Sequence, residues 1–451
     1  MTRMRILLAT AAMLASAAWL TACAADPKAS DDAGPPGAHV DAGGHAGPDG
    51  STPGPGCAGD GSARQPFGNH AHPYAAGSIL PANRTQAQLD QVVRSSYDAW
   101  KGRYLEASCA GERYFVRSGN GNATVSEAAG YGLVITAYMA GHDPQAHAVF
   151  DGLYRYVLAH PSAGNPALMA WSQDNGCGQS APANSAADGD LDIAYALLLA
   201  DRQWGSGGAI HYHDEARRVL AGIAAAEVDA SSAYVRLGDW TNGGDPTHLD
   251  ATRASDFMPG HFASFEAAVG DGRWARVRDR SYQMVASVQA SHAPGTGLLP
   301  DFIVHPTGAA APAPGHFLEG DNDGAYAYNA CRVPWRLATD FLVSGDGRSR
   351  QAVQKMNTWL RGVTGGDPNN IRAGYQLGGS VSNGADYRSM AFVAPFGVSA
   401  MVDAGNQAWL DALWSTLEES GSEGYYADSI ELLALVVMSG NWWAPEAAPC
   451  P

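Results

Sequence analysis

The sequence predicts an all-α protein, a single domain in which an inner layer of helices is wrapped by an outer layer to form a double-layered helical barrel. Three observations lead to this prediction. Apolar residues recur at helical spacing in ten segments between residues 86 and 440. Several of these segments are apolar nearly all round, which indicates helices that are buried on every side. Convincing strand alternation is scarce, and residues 233–240 and 297–305 are the best short candidates.

The predicted helices cover, in chain order, residues 86–105, 127–142, 146–160, 191–205, 212–228, 271–290, 333–345, 350–363, 408–419 and 427–440. Many of them begin after Ser, Thr, Asp or a Gly-Asp pair and end at Gly-His-Asp, His-Pro or Ser-Gly. Buried and amphipathic segments alternate, as they would where an inner ring of helices is wrapped by an outer ring. Long glycine-rich and aromatic-rich connections lie between the helices, and a site would be built there.

Two segments of different composition precede this domain, which is predicted to occupy residues 75–451. Residues 1–23 resemble a secretory signal peptide, because the apolar run from Ile6 to Leu20 is too short to span a membrane. The end of this segment, Leu-Thr-Ala-Cys, looks like a bacterial lipobox and predicts lipidation of Cys23. The alternative is an export signal followed by a chance cysteine. Residues 24–74, rich in Ala, Gly, Pro, Asp and Ser, are predicted to form a disordered tether.

The charge and the cysteines limit the class of function. A net charge of −17 argues against a nucleic-acid partner and would attract a cationic polymer to a cleft. The sequence contains no zinc-ligand spacing, nucleotide-binding loop or serine-nucleophile motif, so neither a metal nor a cofactor is predicted. Export favours disulfide formation, for which Cys57–Cys450 and Cys109–Cys177 are the candidate pairs. Cys331 is expected to be a buried free thiol.

Glu127 is the first candidate for acid chemistry, at the start of a buried helical segment. Thr124 to Glu127 match a capping box, in which the glutamate reaches back to a backbone N–H, and capping is therefore the structural alternative. The helix that follows is almost entirely apolar, so a carboxyl group at its start is partly desolvated. Desolvation raises the pKa of a carboxyl group, as a general acid requires.

Asp188, Asp190 and Asp192 alternate at the start of another buried segment. A calcium-binding EF-hand loop would need Gly where Ile193 stands and Glu where Leu199 stands, so calcium is excluded. Two interpretations remain. Either Asp188 caps the helix while the other two aspartates face solvent, or Asp188 enters a cleft and binds substrate hydroxyls.

Several aromatic residues lie in or beside loops rather than inside apolar runs, where they are candidates for platforms on which sugar rings stack. They are Trp171, Trp240, Tyr326, Tyr328, Trp335, Tyr425 and Tyr426.

Together these segments resemble glycoside hydrolase family 8. The signature of that family, an Asp-Gly-Asp that opens a helix, is matched by Asp188-Gly189-Asp190, Ile193-Ala194, Ala196-Leu197-Leu198, Ala200 and Trp204, with Ala187 where the family usually has Ser or Thr. The stretches SEAAGYG, SDFMPGHF, YNACRVPWR and VVMSGNWW are similar in order and spacing, and the resemblance covers residues 75–445. It implies an (α/α)6 barrel that hydrolyses β-1,4-linked glycans with inversion. Inversion needs two carboxyl groups about 6.5–9.5 Å apart.

The resemblance also implies roles for individual residues. Glu127 would be the general acid, and Asp188 would hold the sugar at the point of cleavage. Further substrate contacts would come from Trp171, Trp240, Tyr328, Asn329 and Arg332.

Asn329 stands where many members of the family carry an aspartate as the general base. Asparagine cannot take a proton from water at neutral pH. A second branch of the family has Asn there and takes its base from a glutamate about ten residues upstream, a spacing that Glu319 fits. Asp321 and Asp323 are the competing candidates, and the structural alternative is an ordinary polar loop.

The sequence therefore predicts an exported, lipid-anchored, monomeric endo-β-1,4-glycanase whose partner is a polysaccharide and whose contact with a membrane is made through its N-terminal lipid. The resemblance leaves chitosan, mixed-linkage β-glucan and cellulose-like polymers open, and the acidic charge leans slightly towards chitosan. The rival hypothesis is a catalytically inactive glycan-binding lipoprotein that keeps Trp171 and Trp240 as platforms.

Overall fold

The structure is a computed structural model that describes residues 62–109, 111–119, 122–174, 176, 183–243 and 245–445. The predicted signal peptide, the lipidation site Cys23 and residues 24–61 of the predicted tether lie outside these residues. So do Cys57, Cys177 and Cys450.

The described residues contain thirteen α-helices. In chain order they are α1 (Gln86–Tyr104), α2 (Ser126–Tyr138), α3 (Ala146–Ala159), α4 (Ala187–Trp204), α5 (Tyr212–Ala226), α6 (Pro246–Leu249), α7 (Pro259–Val269), α8 (Arg273–Ser291), α9 (Val333–Ser344), α10 (Gly347–Val363), α11 (Met390–Ala400), α12 (Gln407–Glu418) and α13 (Tyr425–Met438). Short 3-10 helices cover Asp239–Gly243, Ala254–Asp256, Ala330–Arg332, Pro368–Asn370 and Ala404–Asn406.

Six of these helices form a closed inner ring. In the order α2, α4, α7, α9, α11 and α13, each packs against the next, and α13 packs against α2. The outer layer consists of α1, α3, α5, α8, α10 and α12, each packed on an inner helix. Every residue of the eleven-residue α11 is buried, whereas the 17-residue α10 buries one face. The all-α prediction and the (α/α)6 barrel are therefore confirmed.

Three small antiparallel sheets lie in the connections. They pair β1 (Leu105–Ala107) with β2 (Tyr114–Val116), β3 (Thr124–Val125) with β4 (Ser172–Gln173), and β5 (Ala251–Arg253) with β6 (Phe302–Val304), which also pairs with β7 (Ala311–Pro312). The strand predicted within residues 297–305 is confirmed as β6. The strand predicted within residues 233–240 is wrong, because Val235 makes an isolated bridge with Val228 and a 3-10 helix begins at Asp239.

Two inner helices, α7 and α11, are absent from the sequence-based helix set. Both carry residues that usually end helices: α7 opens with Pro259-Gly260, and α11 contains Pro395 and Gly397. Proline is tolerated at the first helical position of α7. In α11 the glycine serves close packing, because a Cβ atom at Gly397 would lie 2.5 Å from the sulfur of Met438 on α13.

Residues 62–74, assigned to the tether by composition, lie against the barrel. The backbone N–H of Arg64 donates to the carbonyl of Gln203 (3.1 Å), and that of Phe67 donates to the carbonyl of Ala140 (2.7 Å). The hydroxyl of Tyr74 donates to the carbonyl of Val437 (2.8 Å). The folded domain therefore includes residue 62 rather than beginning at residue 75. Composition misses this because the segment is held by long-range hydrogen bonds and by the scattered side chains of Ala63, Phe67 and Tyr74, which pack on the core without forming a periodic apolar face.

Two cysteines lie within the described part of the chain. Cys331 is a buried free thiol, as the sequence predicts. Cys109 is disulfide-bonded, and its predicted partner lies outside the described residues. None of the helices described is both long and apolar enough to span a membrane.

Candidate active site

The N-terminal ends of four inner helices meet at one end of the barrel. Glu127 is the second residue of α2, Asp188 is the second residue of α4, Arg332 directly precedes α9, and Tyr425 opens α13. Helix N-termini carry partial positive charge from their free N–H groups and so favour negative side chains. Two carboxyl groups are thereby placed together at the end of the barrel.

A cleft of about 460 Å³ opens at this end. Eight of the residues that the sequence singled out line it: Glu127, Trp171, Asp188, Glu319, Tyr328, Asn329, Tyr425 and Tyr426. Arg253 lines it as well.

The guanidinium group of Arg332 lies at the centre of these contacts and is only 1% exposed. Its Nη1 donates to Oε2 of Glu127 (2.8 Å) and to Oδ2 of Asp188 (2.9 Å). Its Nη2 donates to Oδ1 of Asn329 (2.9 Å). Because the guanidinium group is planar and rigid, these bonds hold three side chains from different segments in one arrangement.

Glu127 is held by two donors and does not cap its helix. Arg332 contacts one carboxyl oxygen, and the hydroxyl of Tyr425 donates to the other (2.9 Å). The N-cap residue of α2 is Val125, which makes no side-chain capping bond, so the capping-box alternative is wrong. Burial raises the pKa of Glu127 to about 7, although the positive charge of Arg332 opposes the shift. The carboxyl group can therefore carry a proton near neutral pH.

Two glycines let α2 and α4 approach closely at the site. A Cβ atom at Gly189 would lie 2.5 Å from Oγ of Ser126 and 2.6 Å from its backbone carbon. A Cβ atom at Gly130 would lie 2.7 Å from Cβ of Asp192. The close contact brings the first turns of the two helices together, so that Glu127 and Asp188 reach the same arginine.

Asp188 is buried between two arginines. Besides its bond to Arg332, Oδ1 lies 3.5 Å from Nη1 of Arg253 and accepts from the N–H of Gly189 (2.9 Å). Burial would raise the pKa of Asp188, but Arg253 and Arg332 outweigh it and hold the pKa below its usual value. Asp188 is therefore a fixed negative group that faces the cleft.

The interpretation in which Asp190 and Asp192 face solvent is wrong, because both are buried. Asp190 accepts from the N–H of Met169 (2.9 Å), and Asp192 pairs with Arg336 (2.5 Å). A sequence pattern of alternating aspartates cannot reveal this burial, since the partners come from other segments.

Asn329 joins the arginine to Glu319. Its Nδ2 donates to Oε2 of Glu319 (2.8 Å), while its Oδ1 accepts from Arg332. The other oxygen of Glu319, Oε1, lies 3.6 Å from Nη2 of Arg253, and half of the Glu319 side chain is exposed. Glu127 and Glu319 therefore lie at the two ends of a chain of hydrogen bonds that runs through Arg332 and Asn329.

The two competing base candidates have other contacts. Asp323 is buried, and its carboxylate accepts from the N–H groups of Leu318 (2.7 Å), Glu319 (3.0 Å) and Gly320 (2.9 Å). It therefore shapes the loop that carries Glu319. Asp321 is exposed and pairs with His316 (2.5 Å). Neither aspartate is among the residues that line the cleft.

The predicted aromatic platforms are not all in one place. Trp171 lies at the edge of the cleft with 46% of its surface exposed. Tyr328 is also exposed there, and its hydroxyl bonds to that of Tyr387 (2.8 Å). Trp240 is not among the lining residues and instead packs, with Phe317, against a small hydrophobic cluster beside β6.

Sequence reasoning missed two residues that organise the site. Arg253 has no local motif, and its position between Asp188 and Glu319 depends wholly on tertiary contacts. Asp301 accepts from the N–H groups of Ala327 (3.0 Å) and Ala330 (2.6 Å), which fixes the turn that carries Asn329. Burial raises the pKa of Asp301 to about 7. A lone acid inside the apolar run 297–305 was the signal that could have revealed it.

No group of three or more His, Cys, Asp or Glu side chains that could hold a metal ion occurs in the described part of the chain.

Comparisons with known proteins show the family and agree with the fold. The family model described as glycosyl hydrolases family 8 matches residues 76–440. The chain is 47% identical to a beta-glucanase of Niallia circulans over 84% of its own length and 91% of that protein. It is 37% identical to an endoglucanase of Bacillus sp. strain KSM-330, covering 82% of this chain and 80% of that one. The apo structure of a beta-1,3-1,4-glucanase from Paenibacillus sp. X4 superposes with a TM-score of 0.82 at 46% identity, over 85% of this chain and all of the other.

Proposed function

The chain belongs to glycosyl hydrolase family 8, and within that family of glycosidases we propose that it is an inverting endo-β-glucanase. The proposed substrate is mixed-linkage β-1,3-1,4-glucan, in which it cleaves β-1,4 linkages. Glu127 acts as the general acid and Glu319 as the general base.

The observation that carries this proposal is the chain of hydrogen bonds between the two carboxyl groups. Glu127 and Glu319 lie at opposite ends of the contacts made by Arg332 and Asn329, so a guanidinium group and a carboxamide separate them. An inverting enzyme needs such a separation, because a water molecule must fit beside the sugar ring on the face opposite the leaving group. Carboxyl groups of a retaining enzyme lie closer together.

The surroundings of Glu127 and Glu319 differ in the way that a general acid and a general base require. Glu127 is 15% exposed and has a pKa raised by burial to about 7, so it can donate a proton to the departing glycosidic oxygen. Glu319 has half of its side chain exposed and borders the cleft, where it can reach a water molecule. Removal of a proton from that water lets its oxygen attack the anomeric carbon as the glycosidic bond breaks.

The competing base candidates are less suitable for chemical reasons. Asp323 already accepts three backbone N–H groups, and its oxygens are unavailable to a water molecule in the cleft. Asn329 is neutral and has both ends of its carboxamide bonded. Glu319 is the carboxylate in this segment that borders the cleft.

The proposed substrate follows the similar proteins described above, which are named beta-glucanase, endoglucanase and beta-1,3-1,4-glucanase. The charges of the cleft do not favour chitosan. Asp188 is paired with two arginines and Glu319 lies near Arg253, so the carboxylates that border the cleft are largely compensated. The overall acidity of the protein is therefore weak support for a cationic substrate.

The rival hypothesis of an inactive glycan-binding lipoprotein has no observation in its favour. Glu127, Arg332, Asn329 and Glu319 form an unbroken set of contacts, which a binding protein would not need. Lipidation at Cys23 stays a proposal that rests on the lipobox, and incorporation of labelled palmitate into the wild type but not into Cys23→Ser tests it.

The test of the proposed function compares hydrolysis of lichenan, carboxymethylcellulose and chitosan, with NMR of the first-formed product. We expect the highest kcat/KM on lichenan and the α-anomer as the first product. Glu127→Gln and Glu319→Gln should each lower kcat by at least about a thousandfold, while both proteins remain folded.

Asp321→Asn is the matched control, because Asp321 lies two residues from Glu319 but outside the cleft, and its turnover should be near that of the wild type. Near-normal turnover of Glu319→Gln would disprove the base assignment, and a β-anomer as the first product would exclude inversion.

A further inference from the structure

The loop of residues 315–323, which carries Glu319, is held from outside by a residue that has no role in the function described above. Nε2 of His248 lies 3.0 Å from the backbone carbonyl oxygen of Phe317, two residues before Glu319. Nδ1 of the same ring lies 2.6 Å from Oδ2 of Asp245. The imidazole therefore bridges α6 and the 315–323 loop.

The ring is also fixed by aromatic contacts. Its centroid is 5.2 Å from that of Trp240 and 4.8 Å from that of Phe317, both in edge-on geometry. Asp245 is fixed as well, because it caps α6 by accepting from the N–H of Thr247 (2.9 Å). An anchored carboxylate thus holds the imidazole against the loop.

Phe317 passes this restraint to the rest of the site. The ring of Phe317 packs on the ring of Phe302 in β6, with 5.7 Å between the two centroids. The guanidinium group of Arg253 lies over the Phe302 ring, 5.4 Å from its centroid. Arg253 in turn faces Glu319. Movement of the Phe317 backbone would therefore disturb both the loop and the arginine beside the proposed base.

We propose that His248, held by Asp245, is a positioning residue for the general base: its bond to the Phe317 carbonyl keeps Glu319 aimed at the attacking water. This inference rests on the proposed function, since it presumes that Glu319 is the base. His248 touches neither substrate nor reacting atoms and acts through the backbone of the 315–323 loop.

The bridge has a chemical requirement that makes it testable. A carbonyl oxygen and a carboxylate oxygen are both acceptors, so both bonds exist together only when each ring nitrogen carries a hydrogen, as in the imidazolium form. Among the described residues, the groups that face the ring are the carboxylate of Asp245, the ring of Trp240, and the ring and carbonyl of Phe317. A side chain that cannot place a donor against each of the two acceptors therefore loses the bridge.

The experiment measures kcat and KM on lichenan for the wild type and His248→Asn. The asparagine side chain is too short to span both partners. We expect kcat of the variant to be about tenfold lower, the effect of losing one hydrogen bond to a charged group, with KM changed less than about twofold. A residue with a merely structural role would not separate kcat from KM in this way.

His305→Asn is the matched control. His305 also pairs with an aspartate, Asp250 (2.9 Å), but it is exposed, and among the described residues it bonds to none in the 315–323 loop. Asparagine tolerates its left-handed backbone (φ 56°). A kcat of His248→Asn equal to that of His305→Asn, or a KM that changes as much as kcat does, would overturn the proposal.

Asp245→Asn is a second variant that tests the same bridge if His248→Asn does not fold. Asparagine still caps α6, while the carboxylate partner of His248 is lost. It should show a smaller loss of kcat with KM again nearly unchanged, and wild-type kinetics would contradict the proposal. Glu319→Gln, run in parallel, separates the two hypotheses. If it is inactive while His248→Asn behaves as the control does, the base assignment stands and the positioning role is wrong.

Discussion

At the scale of single residues, Asn329 is the reason why the general base that we propose, Glu319, comes from the loop upstream. Its carboxamide accepts a hydrogen bond from Arg332 at one end and donates one to Glu319 at the other. An ionised aspartate could accept from Arg332 but could not donate to Glu319, and two carboxylates at this distance would repel each other. Asparagine at this position and a glutamate on the loop therefore require each other.

The raised pKa of Glu127 leads to a prediction about the pH dependence of activity. A general acid must be protonated, so kcat/KM should fall as the pH rises through about 7. The hydroxyl of Tyr425 donates to the carboxylate and so favours its ionised form. Tyr425→Phe removes that bond, which should raise the pKa of Glu127 further and move the alkaline limb of the kcat/KM profile to higher pH.

Tyr387→Phe is the control for this measurement, because it removes the hydroxyl of an exposed tyrosine that bonds to Tyr328, at the cleft, rather than to Glu127. Its alkaline limb should coincide with that of the wild type. An alkaline limb of Tyr425→Phe that stays in place or moves to lower pH would contradict the assignment of this limb to Glu127.

At the scale of elements, the site depends on how closely α2 and α4 pack. Gly189 faces the backbone of Ser126, and Gly130 faces the side chain of Asp192. Neither glycine has left-handed backbone, so both are needed for close approach rather than for backbone freedom. Because Glu127 and Asp188 stand in the first turns of these helices, the same contact that packs the barrel also brings the two carboxyl groups to Arg332.

Gly189→Ala is expected to separate these helices. The added Cβ atom meets backbone atoms of Ser126, which cannot move aside as a flexible side chain could. The free energy of unfolding, measured by urea denaturation, should fall by about 1–3 kcal/mol. The kcat should fall roughly tenfold, because the acid is displaced from its productive position.

The control is Gly102→Ala in α1, where an added Cβ atom meets nothing within 4 Å. Alanine is the better helix former, so stability should be unchanged or higher by up to about 1 kcal/mol. If the two alanine variants have equal stability and equal kcat, close packing of α2 on α4 is not what positions the site.

At the scale of the whole molecule, several buried carboxyl groups keep a proton in the folded state near neutral pH. Burial raises the pKa to about 7 for Glu127, Asp256 and Asp301, and to about 8 for Glu431. The pKa of Asp192 shifts in the opposite direction. Burial would raise it, but Arg336 and His261 have the larger effect and lower it to about 2. Protonation of these groups therefore couples to folding in both directions.

The expected consequence is a melting temperature that is highest near pH 4. Above that pH the folded state binds protons that the unfolded state, with carboxyl pKa values near 4, has already lost, so stability falls as the pH rises from about 4 through 7–8. Below about pH 4 Asp192 takes up a proton in the unfolded state but stays ionised in the folded state, so stability falls again. Differential scanning fluorimetry should show a fall of roughly 5–10 °C between pH 6 and pH 9.

Glu431→Gln isolates one contribution to this fall. Glu431 lies outside the cleft and accepts from the hydroxyl of Ser420 (2.6 Å), a bond that an amide oxygen can also accept. The variant should lose less of its melting temperature at pH 9 than the wild type does. A melting temperature that is constant or rising from pH 6 to pH 9 would contradict the coupling.

Local spacing was sufficient for much of the prediction. Helical periodicity lies within each segment, so the sequence by itself predicted the alternation of buried and amphipathic helices and hence the double-layered barrel. The positions of Glu127 and Asp188 followed in the same way, because both stand at recognisable helix starts. Helices α7 and α11 were missed because their prolines and glycines disfavour an isolated helix, whereas burial inside the ring stabilises them.

The tertiary structure alone decided which polar groups meet. Arg332 is 205 residues from Glu127, Arg253 is 66 residues from Glu319, and no spacing along the chain records either pairing. The same is true of Asp301, which fixes the turn that carries Asn329 through backbone N–H groups 26 and 29 residues away. Apolar periodicity is read along one helix, but a hydrogen bond between distant segments exists only once the ring of helices has closed.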